Sequence, residues 1–280
     1  MKRSLLVNVV LALFVAALGT WMTLKPGDTP KEEFRLSSLK RGDVRTIRIS
    51  RKDLPEFVLE RQGKDWVQTA PFKARTDSSQ TGRLLDLAVA TSRRKLPAQD
   101  LARFELDAPF ARLTLDTTTF AFGTVNSLTN EQYVLAGDGV FLISPAFGFG
   151  LPTRRDSLAS HMLLGEGEVP AGIETPQVSV VTRDGRLALS PAPPEAERPS
   201  QDDLQHWVEQ WRFASSLVTQ EAPAPVNGES VKVILKGGRV IEFVITQRQP
   251  QLLLVRRDEN LQYAFPADQA ARLLAPAPRP

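Results

Sequence analysis

The sequence predicts an α+β protein in which an N-terminal transmembrane helix is followed by two related modules, each an antiparallel β-meander packed on a helix. Three observations predict it. Residues Leu5 to Leu24 are uncharged and almost wholly apolar, about the twenty residues that a helix needs to cross a bilayer's hydrocarbon core. Short runs with apolar residues at alternate positions, bounded by Gly, Asp, Asn and Pro, recur along the rest of the chain, the pattern of half-buried strands joined by tight turns. Two helical stretches interrupt those runs, and a set of strands follows each of them.

The apolar run, LLVNVVLALFVAALGTWMTL, directly follows Lys2 and Arg3. A cleaved signal peptide has a shorter apolar core followed by a small-residue cleavage site. Here the one passable site, Ala17-Leu18-Gly19, lies inside the run, and Trp21 suits an interface anchor. Residues 1–24 therefore read as a retained signal anchor. The short basic head favours a cytoplasmic N-terminus, although Lys25, Lys31 and Arg35 narrow the asymmetry. Long following domains cross largely regardless of their charge. The expectation is a single-pass protein of a bacterial inner membrane, in contact with its lipid bilayer and with the C-terminal part in the periplasm.

Residues 25–43 are polar, carry Pro26 and Pro30 and lack a period, which reads as a tether. The first module spans 44–153. Ile47 and Ile49 alternate with Arg48, Phe57-Val58-Leu59 follows Pro55, and Gln62-Gly63-Lys64-Asp65 turns the chain into Trp66-Val67. Pro71 ends this meander. Asp77 can cap a helix running to about Thr91, with Leu84, Leu85, Leu87 and Ala88 on its apolar side. Strands follow at Leu113 and Leu115, Phe120 and Phe122, Tyr133 to Leu135, and Val140 to Ile143, with Asp138-Gly139 as a hairpin signal before the last.

Residues 154–170 read as a connector, with a short helix from Ser157 to Leu164 that turns Leu158 and Met162 inward. The second module, 171–275, repeats the grammar of the first. Val178 and Val180 lead through Asp184-Gly185 to Leu187, Leu189 and a closing Pro191. Ser200 as N-cap and Asp203 three residues on open a helix with Leu204, Trp207, Val208, Trp211 and Leu217 at helical spacing. Strands at Val231 to Leu235, Val240 to Ile245, Leu252 to Val255 and Leu261 to Phe265 complete it. Residues 276–280 read as a disordered tail.

Composition excludes several functions. The chain has 35 Lys and Arg against 32 Asp and Glu, and two of the basic residues precede the apolar run. The remainder is near balance, so nucleic-acid binding has no support. With no Cys there is no disulfide and no thiolate ligand or nucleophile. His161 and His206 have no partner at metal-ligand spacing. No cofactor, metal or catalytic residue is assigned.

Ser157, Ser160, His161 and Asp156 would permit a nucleophilic hydrolase only if the histidine reached a hydroxyl from a neighbouring element. Glu166 and Glu168 lie in a Gly-rich connector and read as solvated, as do the basic runs Arg93-Arg94-Lys95 and Arg256-Arg257. Four aromatic residues are the candidate partner-binding positions. Trp207 and Trp211 lie one helical turn apart, which could suit a glycan, a lipid or a partner helix. A helix followed by a four-stranded meander needs large apolar side chains at its interface, so core is the stronger reading and exposure decides. Phe147 and Phe149, in the apolar stretch Phe147 to Leu151, read as an exposed docking loop.

The first half also carries a set of signals that recur together: Ile47-x-Ile49, Phe57-Val58-Leu59, Trp66-Val67 with Pro71, Asp77 before the helix, Leu106-Asp107-Ala108-Pro109, Phe122-Gly123, Tyr133-Val134 and Val140-Phe141-Leu142-Ile143. Over residues 44–165 the chain resembles a bacterial family of unknown function, found as membrane-anchored envelope proteins and in the auxiliary subunit of gliding-motility-type ABC transporters. The resemblance implies an extracytoplasmic α+β module, ABC transporter components as partners, and no catalytic residue to carry over. The expected function is a non-catalytic, membrane-anchored periplasmic accessory or scaffold protein. The alternatives are a periplasmic glycan- or lipid-binding module and, more remotely, an envelope hydrolase.

Overall fold

The computed structural model describes residues 33–276, together with Leu11, residues 13–17 and residues 19–21. The signal anchor expected over residues 1–24 lies in large part outside the described residues. Those of its residues that are described are helical, and among the described residues no helix is long and apolar enough to cross a membrane. Most of the tether's first half and all but the first residue of the expected tail also fall outside them.

The first half contains β1 (Phe34–Arg35), β2 (Thr46–Arg51), β3 (Phe57–Gln62), β4 (Asp65–Ala70), β5 (Ala74–Arg75), α1 (Ser78–Asp86), β6 (Thr91–Ser92), β7 (Lys95–Pro97), β8 (Ala111–Leu115), β9 (Thr118–Asn126), β10 (Glu131–Ala136), β11 (Gly139–Ile143) and α2 (Ala146–Phe149). The second contains β12 (Pro170–Glu174), β13 (Ser179–Arg183), β14 (Arg186–Ser190), α3 (Gln201–Arg212), β15 (Val218–Glu221), β16 (Glu229–Leu235), β17 (Val240–Gln247), β18 (Leu252–Arg256), β19 (Leu261–Phe265) and α4 (Ala267–Leu274). The result is a β-rich α+β molecule whose strand pairs are antiparallel.

Two large sheets share one topology. The first runs β5-β4-β3-β2-β8-β9-β10-β11-β7 and the second β14-β13-β12-β16-β17-β18-β19-β15. In each, the first strand of one meander (β2 to β5, or β12 to β14) pairs with the first strand of a four-stranded one, so the break at the helix sits mid-sheet. A short strand that precedes the four-stranded meander in the sequence closes the far edge: β7 beside β11 and β15 beside β19. A helix follows the last meander strand in both, short in α2 and two turns long in α4. Local pairing of this kind needs only tight turns, and Asp184-Gly185, both at positive φ, makes one of them.

The helices start where their caps direct. The Asp77 carboxylate accepts from the N–H groups of Ser79 (2.8 Å) and Gln80 (3.0 Å). Ser200 Oγ accepts from the Asp203 N–H at 3.1 Å while Asp203 Oδ2 accepts from the Ser200 N–H at 2.8 Å, the reciprocal pair that satisfies two orphan donors. Neither helix runs as far as its apolar spacing suggests. α1 gives way to a 3₁₀ turn at Leu87–Val89, and β6 then pairs with β1. α3 ends at Arg212 and leaves Leu217 exposed.

The connector is not a helix. It makes turns at 155–158 and 166–167, and the stretch between them stitches the two sheets together: the Leu158 carbonyl accepts from the Asp77 N–H (3.0 Å) and the Ser160 N–H donates to Arg75 O (2.7 Å). Three residues on, the Leu163 N–H donates to Ala214 O (3.0 Å), and the Ser216 N–H donates to His161 O (2.8 Å). Leu158 and Met162 imitate helical spacing, but these backbone groups are committed to strand edges. Packing crosses the seam too, because Phe72 and Ala74 of the first half belong to the same buried cluster as Trp211, Phe243 and Tyr263.

Candidate functional site

Two regions concentrate the chemistry: an aromatic turn on the first half and a charged seam between the halves. The turn is α2. Phe147 packs onto the first core and pins it, whereas Phe149 points outward and is 77% exposed. Gly148 lies directly on the Gln132 side chain, where a Cβ would come within 2.2 Å of Oε1. Glycine is therefore what lets this turn sit low on β10. Beside it a groove of about 120 Å³ opens between α1 and α2, lined by Leu84, Leu87, Leu113, Phe122 and Phe147 with Arg83 at the rim. That is room for roughly one apolar side chain.

The seam holds six charges in balance. Arg256 is 1% exposed and forks onto Glu168 at 2.8 and 2.9 Å and onto Asp258 at 2.8 and 3.0 Å. Its Nη1 also donates to Leu163 O at 2.9 Å. Arg75, from the first half, donates to Glu259 (2.7 Å), to Tyr263 Oη (3.1 Å) and to Met162 O (2.8 Å). The Tyr263 hydroxyl in turn donates to Glu259 at 3.0 Å. Arg239 completes the set on Glu168.

Electrostatics follow this geometry. Burial alone would raise the Glu168 carboxyl, but hydrogen bonds from Arg256 and the Gly165 N–H and the charges of Arg256 and Arg239 outweigh it, holding it down at about 2. Burial, then the Glu259 carboxylate, push the Tyr263 hydroxyl well above its ordinary range, so it stays a neutral donor. Each cation here has its anion, and the network reads as a clamp between halves.

The structure separates the four candidate aromatic positions. Trp207 (2% exposed) and Trp211 (0%) are core residues, which corrects their reading as a binding platform. Their indoles donate to Arg272 O (2.9 Å) and Leu273 O (3.1 Å), carbonyls at the end of α4 that have no partner within their own helix. Phe147 is half-buried against the first core, so of the four Phe149 is the one that stands exposed. Arg256 and Glu168 correct the solvated reading of their segments. Lys95 of the other basic run pairs with Asp138 at 3.1 Å and Arg94 with Glu131 at 3.7 Å.

His161 does not reach a hydroxyl in the arrangement a hydrolase requires. Its Nδ1 lies 3.1 Å from the Ser216 carbonyl and its Nε2 3.7 Å from Asp156 Oδ2. Ser157 Oγ instead accepts from the N–H groups of Thr153 and Arg154. The seam carries no local sequence signal, for its partners are remote: Arg75 and Glu259 are 184 positions apart.

One family profile matches the chain. It is described as Domain of unknown function (DUF4340) and covers residues 66–189, from within β4 to within β14. That is less than half of the sequence, and it takes in Arg75, the connector and Glu168 while leaving out Arg256 and Glu259. No curated protein and no solved structure matches the chain.

Proposed function

We propose that this chain is a non-catalytic, membrane-anchored accessory or scaffold protein of the bacterial envelope, its folded part in the periplasm. Its partner is a membrane complex, with ABC transporter components as the class suggested by the resemblance over residues 44–165. One observation carries the binding reading: Phe149 stands exposed on a turn that Phe147 and Gly148 fix to the fold, beside an apolar groove. A single exposed aromatic on a rigid support is suited to serve as an anchor residue. Support for the location comes from the apolar run Leu5 to Leu24. The charged groups of the seam are spent on one another, which leaves no free acid and base pair there.

The test is photocrosslinking in intact cells with benzoylphenylalanine substituted for Phe149, followed by membrane fractionation and mass spectrometry. The expected result is an adduct between this chain and an integral membrane protein, recovered from the membrane fraction and suppressed by Ala146→Glu, an exposed change at the groove. Recovery of the intact chain from the soluble cytoplasmic fraction overturns the location. Recovery from membranes as a bare monomer, with no adduct from this position, overturns the docking.

A further inference from the structure

We propose that two copies of this chain associate face to face through the outer surface of the second sheet. The inner surface of that sheet is covered, since Val180, Val233, Ile241 and Leu254 lie in the core with Trp207 and Trp211 of α3. Side chains alternate along a strand, so Val181, Ile234 and Val240 stand on the opposite face. Part of that face is closed as well, because Val226, in the loop between β15 and β16, packs over Val244 and Val255. Beside this loop two cross-strand rows stay open, with Lys232 exposed and Val240 50% exposed.

The first row is apolar. Register aligns Ala188, Val181, Gly172, Ile234 and Val240 across the adjacent strands β14, β13, β12, β16 and β17. The second row is charged. Glu174, Lys232 and Glu242 stand side by side on β12, β16 and β17, and Arg257, at the end of β18, donates its N–H to Glu242 O at 3.0 Å. The signs along this row alternate: minus, plus, minus, plus. Glu242 and Arg257 hold each other at 3.2 Å. Although they are cross-strand neighbours, Glu174 and Lys232 make no ion pair or side-chain hydrogen bond among the described residues, so half of the row is unspent.

That order of charges selects a second copy as the occupant. A half-turn about an axis parallel to the strands, lying between the two faces and centred between β16 and β17, reverses the row. Because the signs alternate, reversal sets Lys232 against the partner's Glu242 and Glu174 against the partner's Arg257. The same operation lays Ile234 on the partner's Val240. A two-fold contact needs a patch that complements itself, and this row does so about that axis, whereas an axis across the strands would set each charge against its own copy. Sheets stacked face to face lie about 10 Å apart, within reach of Lys and Arg side chains. The Val226 loop lies over β17 and β18, to one side of the axis, so the loops of the two copies pass beside each other. Six strands at about 4.8 Å spacing make a patch about 25 Å wide, the scale of a weak, reversible dimer rather than an obligate one. The patch needs neither the anchor nor the Phe149 turn, so this association and the docking of Phe149 fail separately.

The test is sedimentation equilibrium of the purified full chain in density-matched detergent micelles, from low to high micromolar concentration. Wild type is expected to exchange reversibly between monomer and dimer. Lys232→Glu and Glu242→Lys, taken singly, each set like charges opposite one another twice in the dimer and should weaken it by about tenfold or more, with circular dichroism unchanged. An equimolar mixture of the two variants should recover association close to that of wild type, since the mixed dimer restores opposite charges at both contacts. A wild type that stays monomeric throughout the range overturns the proposal. A dimer that neither variant weakens also overturns it, because the contact then lies elsewhere, as between anchors. So does a mixture that associates no more tightly than the single variants.

Discussion

Arg256 and Arg239 hold the same carboxylate, and burial decides what each contributes. The Arg256 side chain is 2% exposed and that of Arg239 57%. Arg256→Ala leaves Glu168 and Asp258 without their shared cation and opens a void under the Leu163 carbonyl. Removing one partner of a buried pair costs about 3–5 kcal/mol. Arg239→Ala removes a screened surface contact and should cost about 0.5 kcal/mol. Urea denaturation of the two variants, compared with wild type, measures both, and equal losses would show that the seam does not depend on the buried fork. Nothing in the local sequence distinguishes Arg256 from Arg257, and alternation along β18 has no rule for an arginine facing inward. Its inward position follows from Glu168, which reaches it from a separate element 88 positions away.

At the scale of elements, legibility followed the range of the interactions. The meander strands were readable because their cause is local: Ile47 and Ile49 alternate with exposed neighbours, and Asp184-Gly185 supplies its own turn. The start of α3 was readable for the same reason, so its cap is a sharp test. Ser200→Ala removes the acceptor for the Asp203 N–H and should cost about 1 kcal/mol, seen as a lowered urea midpoint, while Ser200→Asp should retain most of it. What could not be read were elements defined by distant partners. The connector has helical spacing but is bonded along both sheet edges, and β7 and β15 are too short to show a period. α4 did carry a signal, Ala270, Leu273 and Leu274 at helical intervals. Without α4 the buried indoles had no visible acceptors, which is why Trp207 and Trp211 were open to a ligand-binding reading. The Phe149 turn was legible as an apolar loop, but only the Gly148 contact with Gln132 explains its rigidity.

For the whole molecule the consequence of the seam is cooperativity. Phe72 and Ala74 pack in the second core, the connector bonds to both sheets, and Arg75 crosses to Glu259 and Tyr263. The halves should therefore unfold together, as one calorimetric transition at neutral pH. Acid should weaken that union in a defined window. The Glu168 carboxyl sits at about 2 in the folded protein against an ordinary 4.5, and the Asp258 carboxyl is lowered in the same sense, burial being outweighed by its bonds to Arg256. A depressed carboxyl stabilises the fold fully above its unfolded value and loses that contribution as pH falls toward the folded one. The transition midpoint of wild type should thus decline steadily from about pH 4.5 down to about pH 2. Glu168→Gln cannot titrate there, so it should start lower at neutral pH and follow a flatter acid limb. Two resolved transitions at neutral pH would mean that the halves are independent bodies, and a variant limb as steep as wild type would place the acid sensitivity in carboxylates outside the seam.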